Sequence, residues 1–362
     1  MTALSEPAED FIDGLRDLLG PEGWRAADAD APYFSEPRGR WHGRAALVLR
    51  PGDVEQTAEI LRRASAARVG VVPYAGGTGL VGGQVMEQGP TPLLLSLERM
   101  RAIRSVSAEE GAAVVEAGAI LAEVHAAAEQ ADRLFPLSLA SEGTARIGGL
   151  LATNAGGVNV LRYGNARDLV LGVEAALPDG TVIRGLKTLR KDNTGYDLRH
   201  LLIGSEGTLG VITAAALRLF PRPRERAAAF CAVPSPEAAG DLLRRVRDRL
   251  GETVSAFELM SAEGMRMLAD HAPDCPAPPV AGAWLVLIDC GGGAGSGVAG
   301  QLEEALAGAF EAGLVEDAAL AQSEAQRAAF WRIREDIPEA NRRRGAVASH
   351  DVSVPLAAIP AL

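Results

Sequence analysis

The chain has 362 residues, of which 48% are hydrophobic and 23% are charged. These proportions are ordinary for a globular protein of two or three domains, and they exclude a largely disordered chain. The 36 basic and 47 acidic residues give a formal net charge of −11, which argues against a general affinity for nucleic acid or anionic lipid. A local anion site stays compatible with this charge, because backbone N–H groups can build one without charged side chains.

The cysteines and the N-terminus bear on the cellular compartment. Cys231, Cys275 and Cys290 are odd in number and widely spaced, a pattern that fits neither a disulfide framework nor a zinc site. The first twenty residues carry acidic side chains where a signal peptide would be positively charged. No apolar run reaches the roughly 20 residues that a membrane-spanning helix needs. These observations predict a cytoplasmic protein without a membrane span.

The first half of the chain alternates short helices with strand-like runs. Residues 53–68 predict a helix that Asp53 caps and Gly70 follows. The apolar runs on either side of a glycine-rich loop, VGVVPYA and TPLLLSLE, predict two buried strands. Residues 101–117 predict a hairpin, residues 119–131 a helix, and LVLGVEAALPDGTVIRG a second hairpin.

A proline-rich segment, PRPRER at 221–226, predicts a domain boundary, because two prolines in four residues break regular structure. Beyond it we expect a strand at FCAVP, a helix over about 235–250, a strand at AWLVLIDC and a helix over about 300–312. This order predicts a small α+β domain with its helices on one face of a sheet.

The glycine-rich loop PYAGGTGLVGG, at 73–83, predicts a site for anionic oxygens, since exposed N–H groups can line it. A flexible loop without a ligand is the plain alternative. Gly77, Gly79 and Gly82 also match GxGxxG, with Glu98 where a ribose-binding acid would lie, which would indicate a nicotinamide enzyme. The spacing argues against that fold, because only QVMEQGP separates Gly83 from the next strand and a βαβ crossover needs a helix.

A second GxGxxG match consists of Gly295, Gly297 and Gly300, between the strand AWLVLIDC and a helical stretch. The loop around it is loose rather than a tight turn, and a lone match of this kind is weak evidence. We expect a connector here, with a dinucleotide site as the alternative.

Four segments together resemble the FAD-binding domain of the vanillyl-alcohol oxidase / p-cresol methylhydroxylase (PCMH) superfamily. They are PYAGGTGLVGG (73–83), SEGTARIGGLLATNAGGVNVLRYG (141–164), LGVEAALPDG (171–180) and IGSEGTLGVIT (203–213). Within it they resemble the D-2-hydroxyacid dehydrogenases, whose substrates include D-lactate, glycolate and D-2-hydroxyglutarate. The resemblance implies an α+β fold with an N-terminal helical segment (1–41), a PCMH-type FAD-binding domain of two α/β subdomains (42–222) and an incomplete ferredoxin-like cap domain (223–362).

Carried over position by position, the resemblance implies a pyrophosphate site on the backbone N–H groups of the first loop, formed by Gly76, Gly77, Thr78, Gly79 and Leu80. It places along the other side of the phosphates and the isoalloxazine Gly143, Thr144, Ile147, Gly148 and Gly149, continued by Thr153, Asn154, Gly156 and Gly157. It places near the adenosine half Glu206, Gly207, Gly210 and Ile212. No histidine stands in these loops where covalent flavoproteins attach the ring, so non-covalent FAD is expected.

The segments AQRAAFWRIRE (325–335) and HDVSVP (350–355) resemble the cap domain of the same dehydrogenases. The resemblance implies that Arg334 binds the substrate carboxylate, which suits a guanidinium fork. The alternative is a solvated arginine paired with Glu335 or Asp336. Many family members have a lysine in place of Ser349, and its absence here weakens the case for a dicarboxylic substrate.

The implied reaction is oxidation of a D-2-hydroxyacid to the 2-oxoacid by hydride transfer from C2 to flavin N5. The family's metal ligands and base lie in a region that would follow Leu362, so no catalytic base and no metal ligand is assigned in this chain. The electron acceptor is left open among a quinone, a cytochrome and an electron-transfer flavoprotein, and a homodimer is compatible. The alternatives are a truncated FAD-binding module without catalysis and, less favoured, an NAD-dependent dehydrogenase.

Overall fold

The computed structural model describes residues 3–28, 32–345 and 350–362. Ser349, named above for its bearing on the substrate, lies outside the described residues. Contacts divide the chain into a first unit, residues 1–157 with 164–221, and a second unit, residues 158–163 with 222–362.

The helices and strands up to residue 221 belong to the first unit, except for α5. In chain order they are α1 (Glu9–Leu19), β1 (Trp24–Arg25), β2 (Leu47–Leu49), α2 (Val54–Ala67), β3 (Val71–Tyr74), β4 (Leu93–Ser96), β5 (Ile103–Ser107), β6 (Ala112–Glu116), α3 (Leu121–Gln130), β7 (Arg133–Leu134), α4 (Ile147–Ala152), α5 (Val160–Tyr163), β8 (Val170–Ala176), β9 (Val182–Gly185), α6 (Arg199–Leu202), β10 (Val211–Arg218) and β11 (Phe220–Pro221).

A four-stranded sheet in the order β1–β2–β4–β3 forms one half of the first unit. Strands β2, β4 and β3 run parallel, and α1 and α2 pack their apolar side chains into the same core. The chain passes from β3 to its parallel neighbour β4 through residues 75–92, a loop without a helix. This confirms that the first glycine motif does not lie in a βαβ crossover.

Helix α2 shows why its sequence forms a helix. The Asp53 carboxylate accepts the N–H of Gln56 at 2.7 Å, which satisfies one of the free donors of the first turn. The helix ends at Arg68, which adopts the left-handed conformation with φ of 57°, two residues before Gly70. Ile60 and Leu61 then face the core of the parallel sheet.

The other half of the first unit is an antiparallel sheet in the order β5–β6–β10–β8–β9. Both expected hairpins form, β5 with β6 and β8 with β9, the latter turning at Pro178–Gly180. Strand β10 lies between β6 and β8 and is almost wholly buried. The loop 203–210 that leads into it is therefore attached to the centre of the sheet.

The second unit continues in chain order with β12 (Glu225–Val233), α7 (Pro236–Leu250), β13 (Val254–Ser261), α8 (Ala262–His271), β14 (Trp284–Gly292), α9 (Val298–Glu311), β15 (Asp317–Leu320) and α10 (Glu324–Arg343). Its sheet is antiparallel in the order β13–β14–β12–β15. Among the residues described in both units, no helix has the length and apolar character that a bilayer crossing requires.

Helices cover both faces of this second sheet, so the expectation of helices on one face was wrong. Cys231 of β12 packs with α7 and α9, whereas its neighbour Phe230 packs with α8 and α10. Successive residues of a strand point to opposite faces, and both of these are fully buried. An apolar run buried on both sides does not reveal which helices lie on which side.

Candidate functional site

The first glycine loop lies against the start of the second glycine-rich segment. A Cβ atom on Gly76 would come within 2.6 Å of the Thr144 carbonyl oxygen and 2.9 Å of the Arg146 nitrogen. Gly77 has φ of 66°, and a side chain there would collide with the Tyr74 hydroxyl. Only glycine lets the loop adopt this path, because any larger residue would push it off residues 144–146.

The backbone N–H groups of this loop are open to a ligand. Within the part of the chain that the structure describes, the N–H groups of residues 76–80 donate to no protein acceptor. The loop is held instead by side chains, such as Gln84, whose Nε2 donates to the Gly79 carbonyl at 2.8 Å. Leu80 and Val81 are 42% and 80% exposed beside these donors. A row of unsatisfied N–H groups is suited to phosphate oxygens.

In the second segment, Gly143 and Thr144 are exposed, whereas the start of α4 is used for packing. Ile147 is 1% exposed, and its N–H donates to the Ala119 carbonyl at 3.0 Å. The N–H of Gly148 donates to the Ala117 carbonyl at 2.7 Å. These two predicted cofactor residues therefore have no N–H group to offer to a phosphate. Their structural effect is to bring α4 close to the chain that follows β6.

The end of α4 holds the wall formed by Thr153 to Gly157. Thr153 returns its hydroxyl to the Gly149 carbonyl at 3.0 Å, and the side-chain oxygen of Asn154 accepts the N–H of Arg167 at 3.0 Å. Gly156 is exposed, and Gly157 packs so closely on the Ser138 carbonyl that a side chain would not fit. The polar groups of Thr153 and Asn154 thus keep this wall in place.

The fourth segment joins the other three. The N–H groups of Gly204 and Glu206 donate to the Leu151 and Ala152 carbonyls at 3.0 and 2.9 Å, at the end of α4. A Cβ on Gly207 would lie 2.8 Å from Pro73, and the Glu206 carboxylate lies 3.4 Å from the Cβ position of Gly83.

Gly210 and Ile212 of the fourth segment are buried against β8, which belongs to the third segment. A Cβ on Gly210 would lie 2.9 Å from the Ala176 carbonyl oxygen, and Ile212 pairs with Ala175. The four segments, 73–83, 141–164, 171–180 and 203–213, are therefore brought together in the first unit, apart from residues 158–163.

The second glycine motif differs, because the protein's own carboxylate occupies its donors. Glu225 accepts the N–H groups of Gly295 and Gly297 at 2.6 and 2.8 Å and the Ser296 hydroxyl at 3.0 Å. The hydrogen bonds from Ser296 and Gly295 lower the pKa of Glu225. The loop before α9 is thus a closed connector rather than a dinucleotide site.

Glu98, the acidic residue of the first GxGxxG match, is also engaged by protein side chains. The Glu98 carboxylate accepts the Tyr33 hydroxyl at 3.0 Å and pairs with Arg50. With neither a helical crossover nor an uncommitted acid, the first loop does not offer the ribose contact of a nicotinamide enzyme.

In the second unit, Arg334 on α10 is paired with a strand residue. Its Nε donates to the Glu258 carboxylate on β13 at 2.7 Å, with side-chain exposures of 33% for Arg334 and 24% for Glu258. This partner differs from those of the alternative interpretation, in which Arg334 pairs with Glu335 or Asp336 on its own helix; Asp336 pairs with Arg332 at 3.4 Å. Sequence reasoning missed Glu258, which lies 76 residues earlier, and no local pattern marks it.

Helix α10 is fixed to the sheet by a buried acid. Asp289 on β14 is 4% exposed and accepts the Trp331 indole N–H at 2.6 Å and an Nη2 hydrogen bond from Arg327 at 2.7 Å. Burial raises the pKa of Asp289 more than these two partners lower it. Among the described residues, no group of three His, Cys, Asp or Glu side chains has the arrangement of a metal site.

Known families match both halves of the chain. Residues 45–185 match the FAD binding domain model, and residues 222–362 match the model of the C-terminal domain of FAD linked oxidases. Two solved structures share the fold: an alkyldihydroxyacetonephosphate synthase, with a TM-score of 0.71, 18% identity and coverage of 93% of this chain and 64% of that one, and p-cresol methylhydroxylase, with 0.68, 16%, 92% and 71%.

The relatives in sequence are more specific. D-2-hydroxyglutarate dehydrogenase from Xanthomonas citri is 36% identical over 322 residues, covering 89% of this chain and 67% of that protein. The chain belongs to the family of FAD-linked D-2-hydroxyacid dehydrogenases. Family members from rat (D-2-hydroxyglutarate dehydrogenase, mitochondrial; 38% identity, 87% and 58% coverage) and Schizosaccharomyces pombe (putative D-lactate dehydrogenase; 35%, 96% and 64%) match as well.

Two further facts follow for this family member. The matches span about 58% of the rat relative's length, so the chain corresponds to somewhat more than half of that protein. The rat and fission yeast relatives are named mitochondrial. The prediction of a cytoplasmic protein is therefore wrong by this comparison.

Proposed function

We propose that the chain is an FAD-dependent oxidoreductase that converts a D-2-hydroxyacid to the 2-oxoacid and holds FAD without a covalent bond. The observation that carries the proposal is the row of N–H groups at residues 76–80, which donate to no described protein acceptor while the second glycine motif is closed by Glu225. Membership of the family gives this row a ligand, the pyrophosphate of FAD.

The residues of the first unit divide into two sets. Gly76 to Leu80, whose N–H groups donate to no described acceptor, would contact the cofactor together with the exposed residues Gly143, Thr144 and Gly156. Gly149, Glu206 and Gly207 lie beside them and would complete the cradle. A packing role suits those already engaged with protein atoms: Ile147, Gly148, Thr153, Asn154, Gly157, Gly210 and Ile212. When bound, FAD supplies the two-electron acceptor.

Arg334 would bind and orient the substrate carboxylate. Its guanidinium is partly exposed, and among the described residues its one partner is Glu258, which accepts from Nε, so donors on Nη1 and Nη2 can meet a small anion. Holding the carboxylate fixes the position of C2 and lowers the entropic cost of reaction. The relatives are named for D-2-hydroxyglutarate and for D-lactate, so the length of the acid is a matter for the substrate panel below.

The visible spectrum of the purified chain tests the proposal. We expect a flavin band that bleaches on anaerobic addition of D-lactate or D-2-hydroxyglutarate and not of L-lactate. Acid precipitation should release the flavin into the supernatant, because the bond is not covalent. A band that persists with every acid would favour the alternative of an FAD-binding module without catalysis. A colourless chain that takes up no added FAD would overturn the proposal.

A further inference from the structure

The ion pair between Glu258 and Arg334 determines which donors of the arginine are left for a ligand. A guanidinium can meet a carboxylate side-on, through Nε and one Nη, or end-on, through both Nη groups. Glu258 holds Nε at 2.7 Å. Glu258 therefore occupies a donor that the side-on arrangement needs, and a second carboxylate can bind the guanidinium bidentately only end-on, through the two Nη groups.

The helix beneath Arg334 has little freedom of its own. Phe330 and Ile333 are buried against the sheet, and Asp289 fixes the turn before Arg334 through the Trp331 indole. The rotation of the guanidinium about its own side-chain bonds is the freedom that remains. Glu258 lies on β13, in a regular pair with Leu287 of β14, and restricts this rotation from a fixed point.

The charges have a consequence of their own. Arg334 and Glu258 together are neutral, and a substrate carboxylate adds a second anion close to Glu258. Two carboxylates on one guanidinium repel each other, so Glu258 weakens the binding of any carboxylate while it favours one orientation. If Glu258 only supported α10 structurally, its effect on carboxylate affinity would be the opposite, because its loss would weaken binding.

We propose that Glu258 is a positioning residue that presents the Nη edge of Arg334 to the substrate carboxylate. It lowers the affinity for that carboxylate and restricts the orientation in which the carboxylate binds. The inference rests on the proposed function, in which Arg334 binds that carboxylate. It predicts that the chain binds simple carboxylates less tightly than Arg334 alone would allow, and that loss of Glu258 lowers the discrimination between the two enantiomers of a 2-hydroxyacid.

The test is anaerobic calorimetric titration with D-lactate, L-lactate and acetate at fixed ionic strength. The chain is loaded with FAD that has been reduced with dithionite, so that no turnover adds heat. In Glu258→Gln the amide oxygen still accepts from Nε but the charge is gone, so all three acids should bind more tightly, on the order of threefold to tenfold. In Glu258→Ala the Arg334 guanidinium is free to rotate, and the ratio of D-lactate to L-lactate affinity should fall toward one.

The control is Glu339→Gln, which removes a carboxylate that pairs with Arg342 and Arg343 on the same helix. It should leave all three affinities unchanged. Thermal unfolding of each variant separates a loss of orientation from a loss of fold.

Arg334→Gln separates this inference from the proposed function. If that variant loses carboxylate binding while both Glu258 variants bind as the unaltered chain does, or more weakly, the positioning role is overturned and Arg334 keeps its own role. If Arg334→Gln binds as well as the unaltered chain, or if the unaltered chain binds none of the acids, the Arg334 site and the positioning role both fail. The presence of the flavin band reports cofactor binding and does not depend on either result, whereas its bleaching by D-lactate requires that the acid binds.

Discussion

The Glu225 carboxylate accepts the N–H of Gly297 at 2.8 Å, immediately before the first turn of α9. The start of a helix carries unsatisfied donors and partial positive charge, which is why phosphates bind there in dinucleotide enzymes. Here a side chain from β12, 72 residues earlier in the chain, has taken that place. The two GxGxxG matches in this chain are therefore opposite in kind: one is open to an anion, and the other already holds one.

Glu225 should make stability depend on pH. Hydrogen bonds from Ser296, Gly295 and Gly297 lower its pKa in the folded chain. A carboxyl with a lowered pKa stabilises the fold above its unfolded pKa, about 4.3, and that contribution disappears as the pH falls through the lower, folded value. Glu225→Gln should lower the melting temperature at neutral pH, and the difference should shrink in acid. Glu252→Gln, at a highly exposed position, is the control. An equal difference at both pH values would contradict the assignment.

Gly77→Ala should weaken flavin binding. The residue would need φ of 66°, and its side chain would meet the Tyr74 hydroxyl, so the loop would leave the segment at 144–146. We expect at least a tenfold loss of FAD affinity, about 1.4 kcal/mol, measured by fluorescence titration of the apoprotein. Gly300→Ala is the matched change in the second motif, since its Cβ would meet open space. Equal retention of FAD by both variants would show that the first loop is not the phosphate site.

Asp289→Ala should be strongly destabilising. It leaves the Arg327 guanidinium and the Trp331 indole without their buried acceptor, and breaking one side of a buried pair costs about 3–5 kcal/mol. Asp289→Asn should cost less, because it keeps an acceptor for Trp331. Glu324→Ala removes the exposed partner of the same arginine and should change stability by less than about 0.5 kcal/mol. Urea unfolding followed by tryptophan fluorescence measures the stability of all three variants. A loss of stability in Asp289→Ala no larger than in Glu324→Ala would refute the role of Asp289 in fixing α10 to the sheet.

The three thiols should resist alkylation in the native chain. Burial raises the pKa of Cys231 and of Cys290 to about 12 and that of Cys275 to about 11. The thiolate is the reactive form, so very little of it exists at pH 8. Mass spectrometry after iodoacetamide treatment should find unmodified protein, and three labels once the chain is unfolded in guanidinium. Rapid native labelling of Cys231 would place it outside the core.

Local features of the fold could be predicted from the sequence. Asp53 caps α2 as its position before an amphipathic run predicts, and the Pro178–Gly180 turn joins β8 to β9. Both depend on residues within a few positions of each other. The arrangement of α8 and α10 on the second face of the sheet could not be predicted, because residues 227–233 of β12 are apolar and buried on both faces.

The site was predictable as a set of glycines and not as a set of contacts. The spacing of Gly76 to Gly83 indicates an anion site, and the N–H groups of residues 76–80 donate to no acceptor among the residues that the structure describes. The same kind of pattern at Gly295 to Gly300 gave no sign of Glu225, nor did Arg334 indicate Glu258. Hydrogen bonds between residues 70 or more positions apart depend on how strands and helices pack, which a local pattern does not contain.

Arg334 carries its own counter-ion, so in its proposed role it would offer an arriving acid no net positive charge. Long-range attraction then contributes little to the encounter, on a chain whose overall charge is −11. Binding of the acid would depend on short-range hydrogen bonds. Its association rate should vary little with ionic strength, because salt mainly screens attraction between charges more than about 8–10 Å apart. The proposed site would then select among acids by shape once they arrive, and it would not concentrate anions from solution.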